Sequence, residues 1–165
     1  GMMLIGCPAN PPATAAFVDL AQYAGKWYEI AKYPVIFENG LVNVTAEYTL
    51  QDDGSVRLIN RGLKGGPEGP ESTITGTVTV ADPASNAKLK VRFDPFPLRL
   101  FQANYWILRI GPEYGYAVVS NPGRNTLWIL SRTPQMDAGL YQEILNWLET
   151  QGFDAARIEL TQQFS

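Results

Sequence analysis

The sequence predicts an all-β fold: an antiparallel meander closed into an eight-stranded up-and-down barrel, with one C-terminal α-helix packed on its outside. Three observations predict it. Apolar and polar residues alternate at a period of two from about residue 25 to residue 133. Turn signals punctuate that stretch at regular intervals. A single apolar stripe of helical period follows it.

The strands follow in order. Val44, Ala46, Tyr48 and Leu50 alternate with Thr45, Glu47 and Thr49 before Asp52-Asp53-Gly54 turns the chain, and Val56, Leu58 and Asn60 continue one face. Ile74, Gly76, Val78 and Val80 alternate with threonines up to Asp82-Pro83, and Leu89, Val91 and Phe93 alternate with Lys88, Lys90 and Arg92. Trp106, Leu108 and Ile110 lead to the turn Gly111-Pro112, then Tyr116 to Ser120 to Asn121-Pro122-Gly123, and Thr126, Trp128 and Leu130 end the ladder. So long a ladder must dispose of its edges, and closure into a barrel removes them. From Asp137, an N-cap residue, Leu140, Tyr141, Ile144, Leu145 and Leu148 form one stripe; Gly152 takes the C′ position and Phe153 covers the end. A lone amphipathic helix after many strands needs a sheet to lie on.

Composition narrows the function. The 165 residues amount to one domain, and 45% apolar with 18% charged residues describes neither a disordered chain nor a coiled coil. The absence of histidine excludes Ser-His-Asp and Cys-His catalysis and His-based zinc sites. Cys7 is the only cysteine, so neither an intrachain disulfide nor a Cys-rich metal cage can form. A net charge of −3 argues against a nucleic-acid partner. Ser131 has no histidine to activate it, Asp52-Asp53-Gly54 lacks the other positions of a calcium loop, and Gly65-Gly66-Pro67-Glu68-Gly69-Pro70 lacks the Lys-Ser/Thr of a phosphate loop. No catalytic residue, metal or cofactor is expected.

The N-terminal residues read separately. Gly1 before Met2 reads as an expression scar. Leu4-Ile5-Gly6-Cys7 resembles the lipobox of bacterial lipoproteins, with Cys7 as the lipidated residue; most of the apolar stretch expected before it is missing, as in a truncation. Pro8 to Ala16 reads as a Pro/Ala tether with nothing to bury, so residues 1–16 form a lipobox remnant and tether and residues 17–165 the barrel domain with its helix. Pro8 after the cysteine, where Asp would redirect the protein, implies an outer-membrane lipoprotein facing the periplasm.

Tyr23-Ala24-Gly25-Lys26-Trp27-Tyr28-Glu29-Ile30-Ala31 resembles the Gly-x-Trp signature of lipocalins, in the form found in bacterial lipocalins and apolipoprotein D. Trp128-Ile129-Leu130-Ser131-Arg132-Thr133-Pro134 is similar to the last strand of the same group, whereas Gly111-Pro112-Glu113-Tyr114 departs from the family's middle turn. The resemblance covers about residues 17–162. It implies that Trp27 sits at the closed end of the barrel, with Gly25 before it and Arg132 laid across its ring as a structural closure. Strand parity in the family then turns Glu29, Ala46, Tyr48, Leu58, Asn60, Val78, Val91, Phe93, Trp106, Leu108, Val119 and Trp128 inward as ligand-binding residues. Parity fits both a solid and a hollow barrel; the resemblance favours the hollow one. It also places Trp27, Trp106 and Trp128 where a ligand would alter their fluorescence.

An apolar tube suits an acyl chain, and sixteen methylenes at ~0.8 kcal/mol each supply roughly 12 kcal/mol before ordering costs. The resemblance implies a fatty acid or a lysophospholipid. Glu29 is either a polar anchor for a hydroxyl or cationic head group or a structural carboxylate held by its neighbours. Val35, Ile36 and Phe37, with Phe96, Leu98 and Phe101 in the segment Asp94–Phe101, form an apolar rim at the mouth. That rim reads as a contact for lipid headgroups, a homodimer interface, a guide for the acyl chain or a plug. The expected function is therefore binding, transport or storage of a hydrophobic ligand at the cell envelope. Two alternatives remain: a lipocalin-type isomerase, which needs two close inward carboxyl or tyrosine groups, and a filled barrel that binds nothing.

Overall fold

A computed structural model describes residues 10–164, so Cys7 and the lipobox lie outside the described residues. The barrel consists of β1 (Gly25–Lys32), β2 (Leu41–Leu50), β3 (Val56–Lys64), β4 (Glu71–Val80), β5 (Lys88–Phe93), β6 (Ala103–Ile110), β7 (Tyr116–Ser120) and β8 (Leu127–Ser131). Each strand pairs antiparallel with the next, β8 pairs with β1, and β1 pairs with β2, which closes the cylinder. A short β9 (Glu159–Leu160) adds to β1 beyond the eight expected strands. A four-residue α1 (Leu20–Tyr23) precedes β1, and α2 (Ala138–Thr150) follows β8.

The helix ends as its residues dictate. The Leu140 backbone N–H donates to the Asp137 carboxylate at 2.9 Å. Gly152 adopts φ +90°, and the N–H groups of Gly152 and Phe153 return to the carbonyls of Glu149 and Leu148 at 3.2 and 3.1 Å, a Schellman closure. Ile144 and Leu148 are buried against Ile30, Val118, Leu127 and Ile129 on the outside of the barrel. Arg109 on β6 fixes the helix from the other side through a two-pronged pair with Glu143 at 3.0 and 3.3 Å.

Two readings of the sequence are corrected here. Trp106 and Leu108 do not face the interior; they pack with the cluster beneath α2, while Tyr105 and Ile107 point inward. A bulge in β6 between Ile107 and Arg109 reverses the parity and returns Ile110 to the inner cluster, so a parity carried unbroken through the strand gives the wrong face for Trp106 and Leu108. Nor are residues 10–16 an unattached tether: Pro12 is buried, the Ala15 N–H donates to the Ile107 carbonyl at 3.0 Å, and Arg124 donates to the Asn10 carbonyl at 3.0 Å.

The barrel is packed solid at one end. Val18, Tyr23, Trp27, Val56, Val78, Leu89 and Ile107 fill it, so Val78 belongs to this packed end and not to an open interior. The space that Gly76 leaves is taken by Phe93, whose ring lies 3.2 Å from where a Gly76 Cβ would stand. Beneath this plug the Arg132 guanidinium lies 3.7 Å from the centroid of the fully buried Trp27 ring. Its nitrogens donate to the carbonyls of Gln22, Tyr23, Ala24, Lys26 and Tyr114, joining α1, β1 and the β6–β7 turn. Gly25 has φ +108°, and a Cβ there would stand 3.3 Å from an Arg132 nitrogen. Arg132→Ala is expected to cost about 3 kcal/mol, because the cation–π contact is lost and carbonyls lose charged donors. Arg132→Lys should recover less than half of that, since one ammonium cannot span the same carbonyls. Urea unfolding measures both, and a lysine variant as stable as the parent would contradict this assignment.

Candidate functional site

Above the plug the interior opens into a hollow of about 190 Å³. Most of its wall is apolar: Val44, Ala46, Leu58, Val91, Phe93, Val119 and Leu130 face it from five strands. Glu29, Tyr48, Asn60 and Trp128 also line it, so the wall includes every residue assigned to the interior except Val78, Trp106 and Leu108. Of the three tryptophans expected to sense a ligand, Trp128 alone lines the hollow. Val35 and Phe37 from the β1–β2 connection bend in to complete it, and Phe37 is half exposed, which carries the hollow to the mouth. A second hollow of about 220 Å³ lies across the Phe37–Glu38 segment and shares Val44 and Asn60 with the first.

The rim residues divide. Val35 and Phe37 turn inward, and the Phe37 ring sits 6.4 Å from that of Phe93. Ile36 is 89% exposed, and Phe96, Leu98, Leu100 and Phe101 also stand in solvent. Asp94, which starts the long loop, is tied down by Arg57 at 2.5 Å and Thr75 at 2.6 Å. Val35 and Phe37 thus line the hollow, and the outer residues form an exposed apolar edge.

Polar groups enter at two levels. At the floor, the Tyr105 hydroxyl bridges those of Tyr23 at 2.5 Å and Tyr48 at 2.7 Å. Burial raises the pKa of all three phenols, which keeps them neutral. Three hydroxyl protons serve two mutual bonds, so one proton is left over for another acceptor.

At the upper level Glu29, 3% exposed, meets Glu38, 7% exposed, on the 3-10 turn Ile36–Glu38. Thr161 from β9's continuation donates its hydroxyl to Glu29 Oε2 at 2.5 Å, and the Trp128 indole N–H donates to Glu38 Oε2 at 3.2 Å. The C-terminal segment reaches Glu29 because β1 and β2 pair only over Gly25–Tyr28 and Thr45–Tyr48. Past that point the strands part, and residues 159–164 fill the gap: the Gln163 amide donates to the Glu29 and Val44 carbonyls at 2.9 and 2.8 Å. Among the features missed from the sequence are Glu38, Tyr105 and Thr126. Glu38 is a single acid in an aperiodic apolar loop, and Tyr105 was hidden by the β6 bulge.

Burial, then the nearby Glu38, raises the pKa of Glu29 well above the ordinary carboxyl range. Thr161 and Lys32 oppose that shift without cancelling it. Folding then takes up a proton as pH rises past the ordinary glutamate value, and stability falls from there to the raised pKa. Glu29→Gln retains a donor and an acceptor without the charge. Its urea midpoint is expected to match the parent's near pH 4 and to exceed it near pH 8. Parallel pH profiles for the two proteins would contradict the shift.

Residues 18–163 match the profile of the lipocalin-like domain. Temperature-induced lipocalin-1 of Arabidopsis thaliana is 39% identical over 152 residues, covering 88% of this chain and 80% of that protein. The outer membrane lipoprotein Blc of Escherichia coli (strain K12) is 35% identical over 166 residues, covering 98% and 90%. The structure of insecticyanin from the tobacco hornworm Manduca sexta superposes with a TM-score of 0.69 at 24% identity, covering 96% of this chain and 86% of that one, a likeness of fold. With the profile spanning α1 to β9, the ladder closed, and Arg132 laid over the tryptophan of Gly25-Lys26-Trp27, the chain belongs to the lipocalin family.

Proposed function

We propose that the barrel carries or stores an acyl ligand, a fatty acid or lysophospholipid, at the cell envelope. Lipocalins bind small hydrophobic molecules, and the single observation that carries the finer reading is the apolar hollow continuous with the mouth through Phe37. A cavity of ~150 Å³ accepts a benzene ring, so on that scale the inner 190 Å³ takes about eight methylenes, worth ~6 kcal/mol gross. That is half of what a sixteen-carbon chain offers. A longer chain would continue past Phe37 into the outer hollow.

The 35% identity to an outer membrane lipoprotein and the lipobox at Cys7 support an outer-membrane anchor. The exposed edge of Ile36, Phe96, Leu98 and Phe101 would then rest on the lipid surface, with Arg99 lying over the Phe96 ring at 5.5 Å. A homodimer that buries the same edge is the competing use of it.

The Glu29–Glu38 pair is the specific observation favouring a second reading, a lipocalin-type isomerase with Glu38 as base and neutral Glu29 as acid. The tyrosines do not add to it, because burial moves them away from ionisation. A barrel that binds nothing is disfavoured by the hollow itself.

Native mass spectrometry of the purified protein should show a co-purified acyl lipid. Titration with a sixteen-carbon lysophospholipid should change the fluorescence of Trp128 at one ligand per chain. Ala46→Phe, which fills the hollow, should weaken that binding about tenfold or more by displacing methylenes while leaving the far-UV spectrum unchanged. No ligand-dependent signal, or equal affinity in the filled variant, would contradict the carrier reading.

A further inference from the structure

Among the described residues that line the hollow are two carboxyls, Glu29 and Glu38, and no lysine or arginine. Two buried side-chain oxygens among the described residues lack a hydrogen-bond partner, Glu38 Oε1 and Thr126 Oγ1, and both residues line this same hollow. Orphaned buried oxygens are costly and mark places where a donor is missing. Thr126 precedes β8, and strand alternation carries it to the same side as Trp128, whose indole already holds Glu38 Oε2. A carboxylate offers about four lone-pair sites; Trp128 and a proton shared with Glu29 occupy two, leaving acceptor capacity directed into the hollow.

An ammonium group fits this arrangement. It brings three hydrogens to carboxylate and hydroxyl acceptors, and its charge offsets the pair. A carboxylate head would meet two acids and no cation. The charged groups packed around the pair leave this balance in place: Lys32 on β1 is directed to Glu159 on β9 at 3.8 Å, and Arg61 on β3 is paired with Glu47 at 3.1 Å. Tyr48 and Tyr105 face the hollow as neutral phenols.

We infer that Glu38, Thr126 and Trp128, with Glu29 behind them, form a subsite for the primary ammonium head of an alkyl-chain amphiphile. This deepens the acyl-carrier reading and rests on it: the head group is selected at Glu38, which lines both hollows, and the chain occupies their apolar walls.

The test is calorimetric titration of the folded protein with dodecylamine, dodecanoate and dodecyltrimethylammonium at about pH 8, below the critical micelle concentrations. Dodecylamine is expected to bind about tenfold or more tighter than dodecanoate, the scale of a charge-assisted hydrogen bond. It should also bind tighter than the trimethyl compound, which has no N–H. Glu38→Gln and, separately, Thr126→Val should each reduce the preference for dodecylamine over dodecanoate, with dodecanoate affinity kept or improved. Two lysophospholipids of equal chain length separate the sources of the ammonium. A preference for the ethanolamine over the glycerol head assigns a lipid headgroup, and a preference confined to dodecylamine assigns a simple long-chain amine. Dodecanoate binding as tightly as dodecylamine overturns the subsite and leaves the carrier reading intact. Failure of every chain to bind overturns both.

Discussion

The constraint on which the structure depends is closure of the ladder at the short β1–β2 seam. Only Gly25–Tyr28 and Thr45–Tyr48 pair across it. Below the seam, the Arg132 guanidinium on Trp27 ties α1, β1 and the β6–β7 turn into one closed end. Above it, the strands separate and the C-terminal segment fills the opening, with Thr161 reaching through to Glu29. A buried carboxylate at that height is thus a consequence of how the barrel closes: the wall there is made by a segment that brings its own hydroxyl.

Closure also divides the interior. The packed end takes large side chains, with Trp27, Tyr23 and Ile107 buried in one cluster. The open end is bounded by Ala46, Val91 and Val119, which are too small to meet across the barrel, and the hollow follows. Its polarity is arranged in two tiers, neutral hydroxyls at the floor and an acid pair near the mouth. Both tiers are buried, so each polar group there is either bonded within the protein or available to a guest.

Much of this was legible in the residues. The family's parity turned Ala46, Tyr48, Leu58, Asn60, Val91 and Phe93 inward, and they line the hollow, because β2, β3 and β5 keep an unbroken period of two over these positions. The helix was legible to its caps, since Asp137 and Gly152 act through local chemistry. Trp106 and Leu108 were misplaced because a bulge leaves no mark in an apolar run. The docking of residues 10–16 was illegible for the opposite reason: a Pro/Ala stretch carries no period, and its contacts are supplied by distant Ile107 and Arg124. Glu38 shows the same limit, for its partners Glu29 and Trp128 come from strands brought together only by closure.

On the proposed carrier function, an alkyl chain enters this barrel tail first, past Phe37, and ends against the tyrosine floor. A crystal of the protein grown with a single-chain lipid brominated at its terminal carbon locates that atom by anomalous scattering. The account places the bromine inside the hollow, beside Leu58 and Tyr105. A bromine found only on the outer rim, with the hollow filled by protein side chains, would contradict it.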